Sequence, residues 1–270
     1  MKAGWKHLLC LAAMLWGKAY AQELYVNTEP ASNMAAKAIG IRLNNEFEPL
    51  QDNRTGYRLS PEVMFGFSKN LMVHVNLYAS SIYQPSFNFE GASVYAKYRF
   101  LALDQPQSHF RVAGFGRASL INDPVTFNMI NLQGDNSGYL GGLVVTQLLH
   151  KLALSATSNV SHSLDNISNP IAPGIGRNQL DYTFSAGYLL LPKTYTDYKQ
   201  TNLNLYVELL GKNSLDGKGS LMDIAPAVQF IFNSTTRLDL SYETQLSGNL
   251  SRPSNTIYLI RLEHNLFNAF

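Results

Sequence analysis

Three groups of residues in this 270-residue chain are of types that could do chemistry. The first is Ser158 with His162, followed by His162-Ser163-Leu164-Asp165-Asn166, which holds a nucleophile, a base and an acid. Four residues along a strand span about 13 Å, too far for a nucleophile and its base. Adjacent His and Ser on a strand point to opposite faces. His109 and His150 fall at turns, and His264 near the C-terminus has no evident Ser partner. A phosphate loop, a paired-His motif and a nucleophile elbow are all missing. No catalytic residue is therefore assigned, and the chain reads as a non-enzyme.

The second group is Met64 with Met72 and His74. Thioether and imidazole together suit soft Cu(I), while plain packing of Met accounts for the same residues. No metal ligand set and no cofactor is assigned from them. The third group is the largest, a series of charges that within each local run are separated by even numbers of residues: Arg42, Glu46, Arg58, Glu62, Lys97, Arg99, Arg111, Arg117, Asp181, Glu208, Asp223, Arg237, Asp239, Glu243, Arg261 and Glu263. Their chemistry depends on which elements carry them.

Those elements are strands. From Ile39 onward the pattern is strict alternation of apolar and polar residues, the period of a half-buried strand. Ile39, Ile41, Leu43 and Phe47 share one face, against Gly40, Arg42, Asn44, Glu46 and Glu48 on the other. The same reading gives strands near 39–48, 57–67, 71–80, 90–101, 109–119, 137–148, 152–162, 179–190, 201–212, 222–232, 236–246 and 256–267. Twelve strands of about 9–13 residues match the 9–11 that cross a bilayer. Connections after even strands are mostly short, such as 68–70, 149–151 and 233–235. Those after odd strands are mostly longer and polar: 49–56, 81–89, 120–136, 163–178, 213–221 and 247–255. An even strand count with short turns on one rim and long loops on the other predicts a closed antiparallel transmembrane barrel, with both termini at the periplasmic rim. A soluble sandwich would use shorter strands. The tightest turns read as three-residue loops that set Phe67 against Leu71, Leu148 against Leu152 and Phe232 against Thr236.

Composition agrees. Charged residues are 15% of the chain, against about 25% in soluble domains. The net charge of +2 gives no basis for nucleic-acid binding. Met1–His7 is basic, Leu8–Trp16 is apolar and Ala19-Tyr20-Ala21 ends in a small-x-small site. That order predicts a signal peptide over 1–21 and export to the outer membrane of a Gram-negative cell. The single cysteine, Cys10, falls inside it, so the mature chain can form no disulfide. Residues 22–35 do not alternate and read as a periplasmic tail or partial plug, ahead of a barrel over 36–270. Tyr258, Ile260, Leu262 and Leu266 alternate toward a terminal Phe270, a signal for the barrel-assembly machinery.

With the apolar faces toward lipid, the charges line the lumen, since a cation at the bilayer midplane costs about 2–4 kcal/mol. Lys97, Arg99, Arg111 and Arg117 form a basic wall; Asp181, Glu208, Asp223, Asp239 and Glu243 form an acidic wall roughly opposite. Arg42, Glu46, Arg58, Glu62, Met64 and His74 complete the lining. The walls support two readings, a transverse field across a water-filled constriction or a network of paired charges that fills the barrel. Counted from the turn at 101–109, Arg99 and Arg111 come out opposite each other, a repulsion that calls for a carboxylate or an anion. Apolar residues of the 120–136 loop, Ile121, Val125, Phe127, Met129, Ile130 and Leu132, could fold inward as a constriction or outward as a contact surface.

Tyr95-Ala96-Lys97-Tyr98-Arg99-Phe100, Arg111-Val112-Ala113-Gly114-Phe115-Gly116-Arg117 and Gly138-Tyr139-Leu140-Gly141-Gly142-Leu143 resemble outer-membrane barrels of the MetA-pathway-of-phenol-degradation transporter type. The resemblance covers the middle half of the chain, leaves out Thr28–Met34 and carries over no catalytic residue. It implies passive uptake or efflux of small solutes, hydrophobic or aromatic ones included, with outer-membrane lipid as surroundings. Two alternatives stand beside it: a structural or adhesion barrel with a charge-filled lumen, and copper handling through the lumenal Met and His.

Overall fold

The computed structural model describes residues 25–270 apart from 195, 196 and 198. The expected signal peptide lies outside the described residues. Among the described residues there are twelve strands: β1 (Ala38–Pro49), β2 (Thr55–Gly66), β3 (Leu71–Ser80), β4 (Asn88–Gln105), β5 (Ser108–Ile121), β6 (Gly138–Leu149), β7 (Leu152–Ser163), β8 (Asn178–Leu191), β9 (Asn202–Ser214), β10 (Ser220–Phe232), β11 (Thr236–Gly248) and β12 (Thr256–Leu266). Each pairs antiparallel with its neighbour, and β1 pairs with β12 over Ile39↔Leu266 to Phe47↔Tyr258, which closes the barrel. Closure satisfies every strand edge, the condition for a sheet to sit in hydrocarbon.

The faces are inverted relative to a soluble protein. Ile41, Leu43, Val75, Leu77, Leu143, Leu205, Val207, Leu240, Ile260 and Leu262 are exposed on the outside. Arg42, Arg58, Glu62, His74, Lys97, Glu208, Asp223, Asp239 and Glu263 are buried within. A charged interior beneath a continuous apolar exterior is stable only when the outer solvent is lipid. This barrel spans a membrane.

Three details of register differ from the alternation reading. A bulge at Phe100 pairs Arg99 with Ala113 and Arg111 with Ala102, so the two arginines are not opposite. Beyond the bulge the two strands run on to a two-residue turn at Pro106-Gln107, where Gln107 takes a positive φ of 65°. Polar Asp104 and Gln105 hid this extension, because on the short-turn rim both faces meet water. At β6–β7 the turn is His150-Lys151, with His150 at φ 52°, so Leu149 faces Leu152 and Leu148 faces Ala153. The expected three-residue loop there was one residue too long; a two-residue turn with positive φ matches strand twist better. At β10–β11 the expected pair Phe232↔Thr236 forms. Finally, β12 ends at Leu266, and Phe270 folds back against Phe67 with ring centroids 6.1 Å apart. Asn268 breaks the strand with a φ of 54°.

Candidate functional site

The lumen is built in layers, and the lowest is apolar. Met34 from the N-terminal segment packs with Met64, Met72 and Ala38 near the short-turn rim. Met64 faces His74 across β2–β3. His74 places Nδ1 2.5 Å from Glu62 Oε1, and its ring lies 5.0 Å from Tyr95. Its Nε2 is buried with no hydrogen-bond partner. Among the described residues no three His, Cys, Asp or Glu side chains come together as a metal site.

Above this floor, residues 25–35 run through the barrel interior and touch strands on every side. Glu208 Oε1 accepts hydrogen bonds from the backbone N–H of Val26 at 3.0 Å and Asn27 at 2.7 Å, while Oε2 accepts from the Thr28 hydroxyl at 2.5 Å. Tyr25 packs edge-on to Tyr206 at 5.5 Å. Glu29 then reaches Arg42 at 3.2 Å and Lys97 at 3.3 Å. Lys97 also donates to the Pro30 carbonyl at 2.7 Å. Ala31 N–H donates to Thr146 Oγ1 at 2.8 Å, and Arg111 donates to Ser32 Oγ at 2.8 Å. The segment is short and polar, with Pro30 denying it ladder pairing, and it binds the wall side chain by side chain.

The top layer comes from the long loops. The β5–β6 loop folds inward, burying Val125, Ile130 and Leu132. Gln179 clamps it, with Oε1 accepting from Ile130 N–H and Nε2 donating to Ile130 O, both at 2.9 Å. Ser119 Oγ donates to Leu132 O at 2.6 Å. Asp123, in the same loop, is buried, and its pKa is pushed up to about 8 by burial first and by the neighbouring Glu90 second. From the β11–β12 loop, Arg252 forms a two-pronged pair with Asp223 at 2.5 and 2.8 Å.

Between floor and roof lies a chamber of about 290 Å³. Its walls include Val26–Glu29 of the segment, Arg42, Glu46, Glu62, Tyr95, Phe115, Arg117, Leu140, Asp181 and Glu243 from the strands, and Met129–Gln133 and Arg252 from the loops. Most of the cations around it are paired locally. Arg42 bridges Glu62 at 3.0 Å and Glu263 at 2.8 Å. Arg58 bonds Glu90 at 3.1 Å and also Asp135, with Glu48 at 4.0 Å. Arg237 joins Asp239 at 3.0 Å and Glu263 at 2.9 Å, and Lys212 meets Asp181 at 3.5 Å.

The two expected walls therefore disperse. Of the basic set only Arg117 reaches the chamber. Lys97 is held by the segment, and Arg99 donates to Lys69 O at 2.7 Å beside the β2–β3 turn. Arg111 meets Asp104 at 3.1 Å, so a carboxylate of its own hairpin meets its charge in place of an outside anion. Of the acidic set Asp181 and Glu243 line the chamber, whereas Glu208, Asp223 and Asp239 are bound by the segment, Arg252 and Arg237. Glu29, Glu90, Asp135 and Arg252 belong to the same network but escaped the alternation reading. Glu90 stands at a strand start and the others lie off the strands, where period-two spacing places nothing. As for Ser158 and His162, the imidazole Nδ1 lies 2.9 Å from Asn178 Oδ1 and stacks near Tyr139, with no serine at its nitrogen.

No protein family matches the chain, and no curated protein matches it. Solved structures do. The COG4313 outer membrane channel from Pseudomonas putida F1 superposes with a TM-score of 0.60 at 9% identity, covering 90% of this chain and 100% of that one. The KdgM porin gives 0.47 at 12% identity over 83% and 98%, and the NanC porin 0.44 at 13% over 85% and 98%. At such identities the first of these likenesses shows a shared fold, the closed antiparallel β-barrel.

Proposed function

We propose that the protein is an outer-membrane channel for small solutes, with residues 25–35 acting as a plug that narrows the lumen. The observation that carries this reading is the chamber of about 290 Å³ inside a closed barrel. A purely structural barrel gains nothing from a polar hollow, since unfilled interior forfeits dispersion contacts. A water-filled one needs charged and hydroxyl groups to wet it, and these line it here. The plug is held mainly through polar contacts to Glu208, Arg42, Lys97 and Thr146. Most of these contacts have a charged partner and are worth about 1.5–3 kcal/mol each; water admitted to the lumen can take their place, so the segment can shift without unfolding the wall. Solutes are small, and aromatic ones fit the apolar patch formed by Phe115, Leu140 and Leu132, as the resemblance to MetA-pathway transporters implies. The barrel-assembly machinery reads the C-terminal strand that ends near Phe270.

Liposome swelling tests the reading. Vesicles carrying the protein are expected to admit one-ring solutes of phenol or benzoate size and to exclude trisaccharides. Swelling no faster than in empty vesicles for every solute would refute it.

A further inference from the structure

Resting on the channel reading, we propose that the chamber holds a recognition site for a small organic anion, a carboxylate attached to an apolar body, with Arg117 as its anchor. The cations that line the chamber differ in one respect. Arg42, Arg58, Lys212, Arg252 and Arg261 each have a carboxylate within ion-pair distance, at 3.0, 3.1, 3.5, 2.5 and 3.8 Å for one partner each. Among the described residues Arg117 has none.

Its position is nevertheless built. Nη1 donates to Ser93 Oγ at 2.8 Å and to the Tyr78 hydroxyl at 2.9 Å, with Asn76 Oδ1 at 3.5 Å. The guanidinium carbon sits 5.3 Å from the centre of the Tyr95 ring. These neutral partners fix the orientation of the guanidinium without neutralising it, and they engage one nitrogen only. Nε and Nη2 remain for a ligand, and they form the edge that receives a carboxylate through two parallel hydrogen bonds. The adjacent Glu62 does not take this role, because Arg42 holds it at 3.0 Å and His74 at 2.5 Å.

Beside this edge the wall is apolar. Arg117 pairs with Tyr95 on β4 and with Leu140 on β6. Both line the chamber, as do Phe115 and, from the roof, Leu132. A charged head on Arg117 thus leaves the rest of the ligand against rings and aliphatic carbons. At about 290 Å³ the space is at the small end of the roughly 300–1,000 Å³ of ligand pockets, which limits the ligand to about one ring. A ligand seated there displaces water from the guanidinium edge, which strengthens the ionic contact.

The test is calorimetric titration of the detergent-solubilised mature protein with benzoate, and with benzyl alcohol as its uncharged counterpart. Benzoate is expected to saturate a single site and benzyl alcohol to bind at least tenfold more weakly. Arg117→Gln is expected to weaken benzoate at least tenfold, and Arg117→Lys to recover part of the affinity. Leu140→Glu, which sets a carboxylate beside the intact arginine, is expected to compete benzoate out. Equal binding of benzyl alcohol and benzoate by the unaltered protein overturns the proposal without any variant, as does undiminished benzoate binding by Arg117→Gln. Conductance measured on the same samples separates the two readings: a conducting barrel without benzoate binding sinks only this inference, and an Arg117-dependent site in a barrel that never conducts sinks only the channel.

Discussion

Arg42 illustrates what each lumenal charge does. It is 4% exposed and stands among Glu62, Glu263 and Glu29 at 3.0, 2.8 and 3.2 Å. Removing one partner of a buried ion pair leaves the others desolvated and uncompensated, at a cost of about 3–5 kcal/mol. Arg42→Met is therefore expected to lower the barrel's stability by that order in urea unfolding from vesicles, with Arg42→Lys intermediate. Adding Glu62→Gln and Glu263→Gln to Arg42→Met is expected to restore most of the loss. At this scale the sequence is informative about side and silent about partner. Alternation with an apolar outer face puts Arg42, Arg58 and Arg117 inside, because lipid admits no charge. Which acid each arginine meets depends on strand register and on residues off the strands, such as Glu29 and Asp135, and neither follows from a period of two.

The elements carry two further expectations. The first concerns the plug. Gly187 pairs with Tyr206, and the Tyr206 ring lies so close over Gly187 that a methyl group there must push it aside. Tyr206 in turn packs on Tyr25. Gly187→Ala thus overpacks this contact by about 1–3 kcal/mol, and hydrogen exchange at residues 25–28 is expected to speed up while that of the strands holds. The second concerns the β5–β6 loop. The Asp123 pKa is raised to about 8, so the folded loop favours the protonated acid. The stabilisation is complete below the ordinary carboxylate range, falls as pH rises and is gone above about 8. Proteolysis of residues 122–137 is expected to accelerate as pH rises from about 4 to about 8 and to level off above that, and Asp123→Asn is expected to remove that dependence. Twelve strands were readable because lipid on one side enforces a clean alternation. The overhang of β4–β5 was not, since its faces have the same solvent, and the turn at His150-Lys151 was misread by one residue because apolar residues flank it on both strands. Whether the 120–136 loop turns inward depends on Gln179, 49 residues beyond Ile130, and on the Ser119 contact to Leu132, and alternation within strands gives neither pairing.

For the whole molecule, a closed wall is needed to cross lipid, and the content of the wall decides whether anything else crosses. The exterior apolar rows and the closed β1–β12 seam settle the first point. The second depends on residues 25–35, a segment that sequence alone left open between a tail and a plug. Single-channel recording in planar bilayers, comparing the mature protein with a variant in which residues 25–33 are replaced by a Gly/Ser linker of equal length, addresses it most directly. The plug account expects small conductance steps from the mature protein and steps several-fold larger from the variant, both in folded barrels confirmed by heat-modifiable mobility. Equal conductance in the two, or a folded variant that stays silent, would contradict it.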